Sequence, residues 1–224
     1  MKTLLLTGAS GDIGKAIQKL FEKNNYRIIA PTRAELNLES PESIQHYFKN
    51  FKEKIDSLIH CAGFNTPKLA LDLNEADVQK TFQINTMAFY SICRQLLNHF
   101  VNQKGASILA ISSIYGHFSR KGRLAYATSK HALEGMVKTL ALEFGIHNIK
   151  VNCLAPGFVD TQLTRKNNSE EIIEGFKQKI PLGRLADPMD IAEVAYFLCS
   201  ENNKYINGQS IIVDGGYSVG GFQE

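Results

Sequence analysis

Tyr126 and Lys130 stand four residues apart in the run Tyr126-Ala-Thr-Ser-Lys130, a spacing that stacks a phenol and an ammonium on one helical face. A free phenol holds its proton until about pH 10, but a fixed positive charge beside it favours the phenolate. Tyr126 is therefore a candidate acid-base. A packed ring beside a solvated amine has the same spacing, so the pair needs company.

That company lies in the turns. Thr7-Gly8-Ala9-Ser10-Gly11-Asp12-Ile13-Gly14 joins an apolar run to a helical pattern, where unpaired backbone N–H groups and the helix dipole suit a pyrophosphate and glycines allow close approach. Other apolar runs stop at Ala62-Gly63, Ser112-Ser113 and Pro156-Gly157. Ligands of an open parallel sheet bind at the carboxyl ends of its strands, so all these turns are expected at one mouth.

The elements that position them alternate. Short apolar runs predict strands over Thr3 to Leu6, Arg27 to Ala30, Ser57 to Cys61, Ser107 to Ile111, Lys150 to Leu154 and Ser210 to Asp214, with Leu36 to Leu38 as a further short one. Helical stripes separate them: Ile13/Ile17/Leu20/Phe21; Ile44/Phe48/Phe51/Ile55 behind a Ser40 cap and Pro41; a long stretch from about Asn74 to Asn102; the Tyr126 helix through Leu142; and a last one from Asp187-Pro188. Only Pro31 to Glu35 lies between the second and third runs, so a helix there is missing or much shortened. The prediction is an α/β protein with a doubly wound parallel sheet of about seven strands, in one domain spanning residues 1–224 and ending in the flexible glycines Gly215-Gly216 and Gly220-Gly221.

Composition excludes several classes. Of 224 residues, 44% are hydrophobic and 21% charged, ordinary for a globular domain. A net charge of +3 without a basic block gives no case for nucleic acid. Cys61, Cys93, Cys153 and Cys199 are far apart and form no metal-ligand cluster, so no metal is expected and the thiols read as buried in a reducing compartment. No apolar run reaches spanning length and no signal peptide opens the chain, which predicts a cytoplasmic protein without a membrane partner.

Along nearly its whole length the chain resembles the short-chain dehydrogenase/reductase family. Thr7, Gly8 and Gly14 match the family's TGxxxGxG, although Asp12 stands in place of the middle glycine. His60-Cys61-Ala62-Gly63 keeps the Ala-Gly half of the family's Asn-Asn-Ala-Gly. Pro156-Gly157, with Val159 and Thr161 following, matches the segment that touches the nicotinamide, and Asn37-Leu38 occupies the place of the Asp-Val that meets adenine. The tail, from Ile180-Pro-Leu-Gly-Arg-Leu185 to Val213-Asp214-Gly215-Gly216, is similar to that of 3-oxoacyl-[acyl carrier protein] reductases.

The resemblance implies a Rossmann-type fold and an active-site tetrad of Asn85, Ser113, Tyr126 and Lys130. Tyr126 would donate the proton, Lys130 lower its pKa and reach the cofactor ribose, Ser113 hold the carbonyl oxygen, and Asn85 anchor a water. Hydride would pass between a nicotinamide and a small ketone or secondary alcohol, most plausibly carried as a 3-oxoacyl thioester. A sugar, polyol or other small alcohol is the alternative within the family; an inert nucleotide-binding scaffold is the one outside it. Pro31-Thr32-Arg33 after the second strand offers a guanidinium and no carboxylate, which favours NADP(H), with Glu35 keeping NAD(H) open. Residues 163–179 are expected to form a substrate lid, Tyr115 and His117 are candidates for the pocket wall, and a homotetramer is implied.

Overall fold

The structure is a computed structural model and describes residues 1–103 and 105–220; Gly221 lies outside the described residues. The sheet begins with β1 (Lys2–Thr7) and β2 (Tyr26–Ile29), joined by α1 (Asp12–Lys23). After α2 (Pro41–Lys49) come β3 (Ser57–His60), α3 (Glu75–Phe82), α4 (Ala88–Asn102) and β4 (Ala106–Ile111). The second half runs α5 (Leu124–Phe144), β5 (Ile149–Pro156), α6 (Gln162–Asn167), α7 (Glu170–Lys179), α8 (Pro188–Cys199) and β6 (Ser210–Val213).

All six strands are parallel, in the order β2-β1-β3-β4-β5-β6. Successive strand residues face opposite sides, and both sides are apolar. Leu5, Leu58, Ile108 and Val151 pack with Ile44, Phe89, Ile92 and Leu133 from α2, α4 and α5. Leu4, Leu6, Ile59 and Leu109 pack with Ile17, Phe21, Ile191 and Ala195 from α1 and α8. This is the doubly wound, Rossmann-type arrangement in a single domain, and its strand order reverses between β1 and β3, where a crevice must open.

Two expectations about elements change. Leu36 to Leu38 is not a strand, so the sheet has six strands and β2 is its edge. The apolar residues that suggested a strand have another cause: Leu36 plugs the core beside α2, while the backbone bonds run to turns and side chains instead of a neighbouring strand. Asn37 N–H donates to Ser43 Oγ, Glu39 N–H to Asn37 Oδ1, and Gln83 Nε2 to the Leu38 carbonyl. The expected absence of a helix between Pro31 and Glu35 holds.

The stretch from Asn74 to Asn102 is likewise not one helix. A π turn at Gln83–Met87 separates α3 from α4. One extra residue per turn leaves the flanking apolar stripes intact, so periodicity alone does not reveal it. Local signals elsewhere act as expected: Ser40 Oγ accepts the Ser43 N–H at the start of α2, and Asp187 caps α8 ahead of Pro188.

Candidate active site

The glycine-rich turn is shaped by contact as well as conformation. Gly8 has φ +74, and a Cβ there would come within 2.5 Å of the Ala62 nitrogen. A Cβ on Gly14 would overlap the Gly8 carbonyl, so α1 packs directly on the turn. Gly11 is the N-cap of α1, and no side chain caps that helix. Its first N–H groups are left facing the crevice, the geometry that takes a phosphate.

That crevice is a cleft of about 760 Å³. Along it lie Thr7, Ser10, Gly11, Asp12 and Ile13 from the turn, Thr32, Arg33, Asn37 and Leu38 beyond β2, and Ala62 and Gly63 after β3. Pro156, Gly157, Val159 and Thr161 after β5 close it on the other side, and Ser113, Tyr126 and Lys130 sit at one end. Of the expected catalytic and cofactor residues, Asn85 alone is off this lining, being fully buried behind it, and the pocket-wall candidates Tyr115 and His117 are off it as well.

Asn85 sits in the π turn. Its Oδ1 accepts the Phe64 N–H at 2.7 Å, and its Nδ2 donates to the Phe64 carbonyl and to Ser129 Oγ, each at 3.0 Å. Both amide donors are spent, leaving one acceptor lone pair for a water. A Cβ on Gly63 would lie 3.7 Å from Asn85 Oδ1 and 3.9 Å from Lys130 Nζ, so the end of β3, the π turn and α5 meet at one point.

His60 holds the turn from below. Its Nε2 lies 3.1 Å from the Ile84 carbonyl and its Nδ1 3.0 Å from Thr7 Oγ1. A carbonyl can only accept, so Nε2 carries the proton and Nδ1 accepts from the threonine hydroxyl. Burial, and then the positive charge of Lys130, push the His60 pKa down to about 3, so the ring is neutral. His60 is thus packed structure at a strand end.

The two adjacent serines divide their work. Ser112 Oγ donates to Glu134 Oε1 at 2.7 Å inside the protein, whereas Ser113 Oγ accepts the Tyr115 N–H and lines the cleft beside Tyr126. Tyr126 packs edge-on against Tyr115, with ring centroids 6.4 Å apart. His117, the other pocket-wall candidate, turns away: its Nε2 lies 3.0 Å from Ser210 Oγ and 3.5 Å from Glu134.

Electrostatics revise one expectation. Burial pushes the Tyr126 pKa up to about 12, and the groups that pull against it are the Ser113 hydrogen bond and the charge of Arg123, not Lys130. Lys130 is only 2% exposed, its Nζ lies 5.6 Å from the Tyr126 ring centroid, and it donates at 2.7 Å to the Ile111 carbonyl. Burial itself pulls the amine down to about 8. Here the phenol is protonated at neutral pH, the form a proton donor needs.

At the far end, Arg33 Nη2 pairs with Glu39 Oε1 at 2.6 Å and stays 73% exposed. Glu35 folds back on Thr32, accepting its N–H and hydroxyl, which lowers its pKa. Asp12, in the place of the middle glycine, accepts the Gln162 N–H of α6 at 2.7 Å. The sequence reading missed Arg123 and Asn65. No motif marks either; only the position of Arg123, one helical turn before Tyr126, pointed toward the site.

A doubly wound parallel sheet whose crevice ends on a Ser/Tyr/Lys group defines a nicotinamide-dependent oxidoreductase acting on CH–OH groups. The chain belongs to the short-chain dehydrogenase/reductase family: residues 3–218 match the family model described as enoyl-(acyl carrier protein) reductase. It is similar to the 3-oxoacyl-[acyl-carrier-protein] reductase of Aquifex aeolicus, 37% identical over 217 residues that cover 96% of this chain and 86% of the relative. The enzyme of that name from Thermotoga maritima is 32% identical over 242 residues, covering 97% and 98%. Among solved structures, 4-hydroxyisoleucine dehydrogenase complexed with NADH superposes with TM-score 0.92 at 28% identity, covering 98% of this chain and all of the other. ElxO with NADP bound superposes at 0.87 with 27% identity, covering 97% and 99%.

Proposed function

We propose that this protein reduces 3-oxoacyl thioesters with NADPH, using Ser113, Tyr126 and Lys130 as its reacting group and Asn85 as their support. The observation that carries the reading is the meeting of those side chains, from three separate segments, where the cleft ends. The glycine contacts of Gly8 and Gly14 leave room for a dinucleotide and for nothing bulkier than backbone beneath it. Thr7 to Gly14 would hold the pyrophosphate, Thr32 and Arg33 the 2′-phosphate, and Asn37-Leu38 the adenine. Ala62-Gly63, Pro156-Gly157, Val159 and Thr161 would flank the nicotinamide, which when bound supplies the hydride.

The chain's own residues do the rest. Ser113 holds the carbonyl oxygen, and Tyr126 Oη delivers its proton to that oxygen as charge develops. A water on Asn85 Oδ1 then returns the proton, and Lys130 holds the cofactor ribose beside the phenol. General acid catalysis of this kind contributes roughly a hundred- to ten-thousand-fold.

The thioester assignment is supported by the similarity to two 3-oxoacyl-[acyl-carrier-protein] reductases over nearly the whole chain. NADP(H) is supported by Arg33 at the cleft and by Glu35 being turned onto Thr32. Residues 163–179 act as the lid: α7 sets Ile173 and Phe176 into an apolar cluster with Ile180 and Leu185, so the flap closes on a hydrophobic hinge. A homotetramer accounts for exposed Met87 and Tyr90 on the π turn and α4, Leu142 on α5, and Ile212 on β6. No helix among the described residues is long and apolar enough to cross a membrane. A cytoplasmic location is proposed on the four cysteines, all free, which suit a reducing compartment.

The test is a panel of NADPH and NADH against acetoacetyl thioesters, sugars, polyols and simple ketones. The reading expects fastest turnover with NADPH and the thioester. Preference for a sugar or polyol would move the substrate class within the family, and cofactor binding without any turnover would leave only a scaffold.

A further inference from the structure

Arg123 is the N-cap residue of α5 and only 8% exposed, yet no side chain of the described residues pairs with it. Its Nη1 is shut away from solvent without a hydrogen-bond partner. Leaving a guanidinium in that state is expensive, because a buried charge without a counterion loses its hydration and gains nothing in return. Buried polar groups that stay unsatisfied in a folded protein call for a specific explanation, and a ligand is one.

Its surroundings say which ligand. Helical spacing puts Arg123 and Tyr126 on one face, one turn apart. The groups its charge acts on are Tyr115, Arg120 and Tyr126, and burial lowers its own pKa. Tyr115 and Tyr126 belong to a cluster with Phe118 and Phe158, and Arg120 lies over the Phe176 ring of α7, 5.1 Å from its centroid. These residues form the wall under the lid. Tyr126 lines the dinucleotide cleft but Arg123 does not, so the guanidinium lies off the cofactor's track.

A second unsatisfied side-chain atom, Asn65 Oδ1, is buried on the loop after Gly63, which lines the dinucleotide cleft. That loop is tied to the Arg123 turn by Lys68 N–H donating to the Gly122 carbonyl at 3.1 Å.

We propose that Arg123 is a specificity-determining residue, whose guanidinium binds a second carbonyl-type oxygen on the substrate, beside the carbonyl that Ser113 and Tyr126 hold. The inference rests on the reductase reading above and adds the requirement that the substrate be a dicarbonyl compound or an oxo acid. A thioester carbonyl and a carboxylate share this chemistry; the formal charge of the guanidinium makes the carboxylate the stronger partner.

The experiment measures binding, not turnover. Full-length protein is saturated with NADP+ and titrated calorimetrically with acetoacetate, with the acetoacetyl thioester of N-acetylcysteamine, and with 2-pentanone, which lacks the second oxygen. Wild type, Arg123→Met and Arg123→Lys are compared. Arg123→Met is expected to weaken the oxygen-bearing probes about ten- to a hundred-fold, the loss of a charge-assisted hydrogen bond, with Lys recovering part of it. Loss with acetoacetate alone identifies a carboxylate site; loss with both identifies a carbonyl site. Equal weakening of all three probes, no weakening of any, or no binding of the oxygen-bearing probes to wild type overturns the proposal.

Thermal unfolding supplies the second readout. A methionine in place of an unpaired buried charge should leave the midpoint unchanged or raise it, and a sharp fall would make Arg123 structural and overturn the proposal. Failure of both NADP+ and NAD+ to bind would show separately that the reductase reading is wrong, and the proposal falls with it.

Discussion

Replacing His60 by Asn, the residue the family resemblance puts at this position, should remove a specific part of the protein's sensitivity to acid. Burial holds the folded-state pKa of His60 at about 3, against 6.5 for the free side chain. The folded pKa lies below the unfolded one, so the contribution to stability is fully present above pH 6.5 and is lost as the pH falls toward 3. At pH 5 only the unfolded chain has taken up the proton. The corresponding loss relative to pH 7 is about 2 kcal/mol, growing to roughly 4 kcal/mol near pH 3.

An asparagine amide can donate to the Ile84 carbonyl and accept from Thr7 Oγ1 as the imidazole does, but it does not titrate. Urea unfolding of wild type and His60→Asn at pH 7 and pH 5 isolates the term, since other carboxylates contribute equally to both proteins. Wild type should lose about 2 kcal/mol more than the variant across that interval. Parallel losses would refute the neutral, buried imidazole and the account of how the π turn is held.

Three further outcomes follow from the site. Arg33→Ala should raise the Michaelis constant for NADPH much more than that for NADH; equal effects would reject the phosphate contact. The Lys130 amine, pulled down to about 8, keeps its charge below that pH and loses it above, so kcat/KM for carbonyl reduction should fall as pH rises through about 8. A profile flat to pH 10 would contradict a buried, acidified lysine. Asp12→Ala removes the bond from Gln162 N–H that ties α6 to the glycine-rich turn, and limited proteolysis should then cut near α6 faster. Unchanged cleavage would show that the link does not restrain the lid.

Much of the fold is written in local patterns. Continuous apolar runs such as Leu4-Leu5-Leu6 and helical stripes such as Ile13/Ile17/Phe21 name the layers, and Gly8 and Gly14 mark the turn because only hydrogen fits there. Of the proposed catalytic group, spacing alone marks Tyr126 and Lys130; Ser113 is picked out from Ser112 only by the family resemblance. What spacing cannot express is where a polar atom finds its partner. Leu36-Asn37-Leu38 alternates like a strand, but its backbone is satisfied by Ser43 and Gln83. Lys130 has its amine bonded to the Ile111 carbonyl, and Arg123 has no partner at all among the described residues. Both facts arise from segments distant in the chain meeting in space.

The central claim is that Tyr126 supplies the proton at the end of a nicotinamide cleft. Loss of the reduced cofactor's absorbance, followed with NADPH and an acetoacetyl thioester, tests it in wild type and Tyr126→Phe together with NADPH affinity. The account predicts turnover in wild type, a fall of at least about a hundred-fold in the variant, and NADPH affinity unchanged within about twofold. Turnover retained by the phenylalanine protein would contradict it.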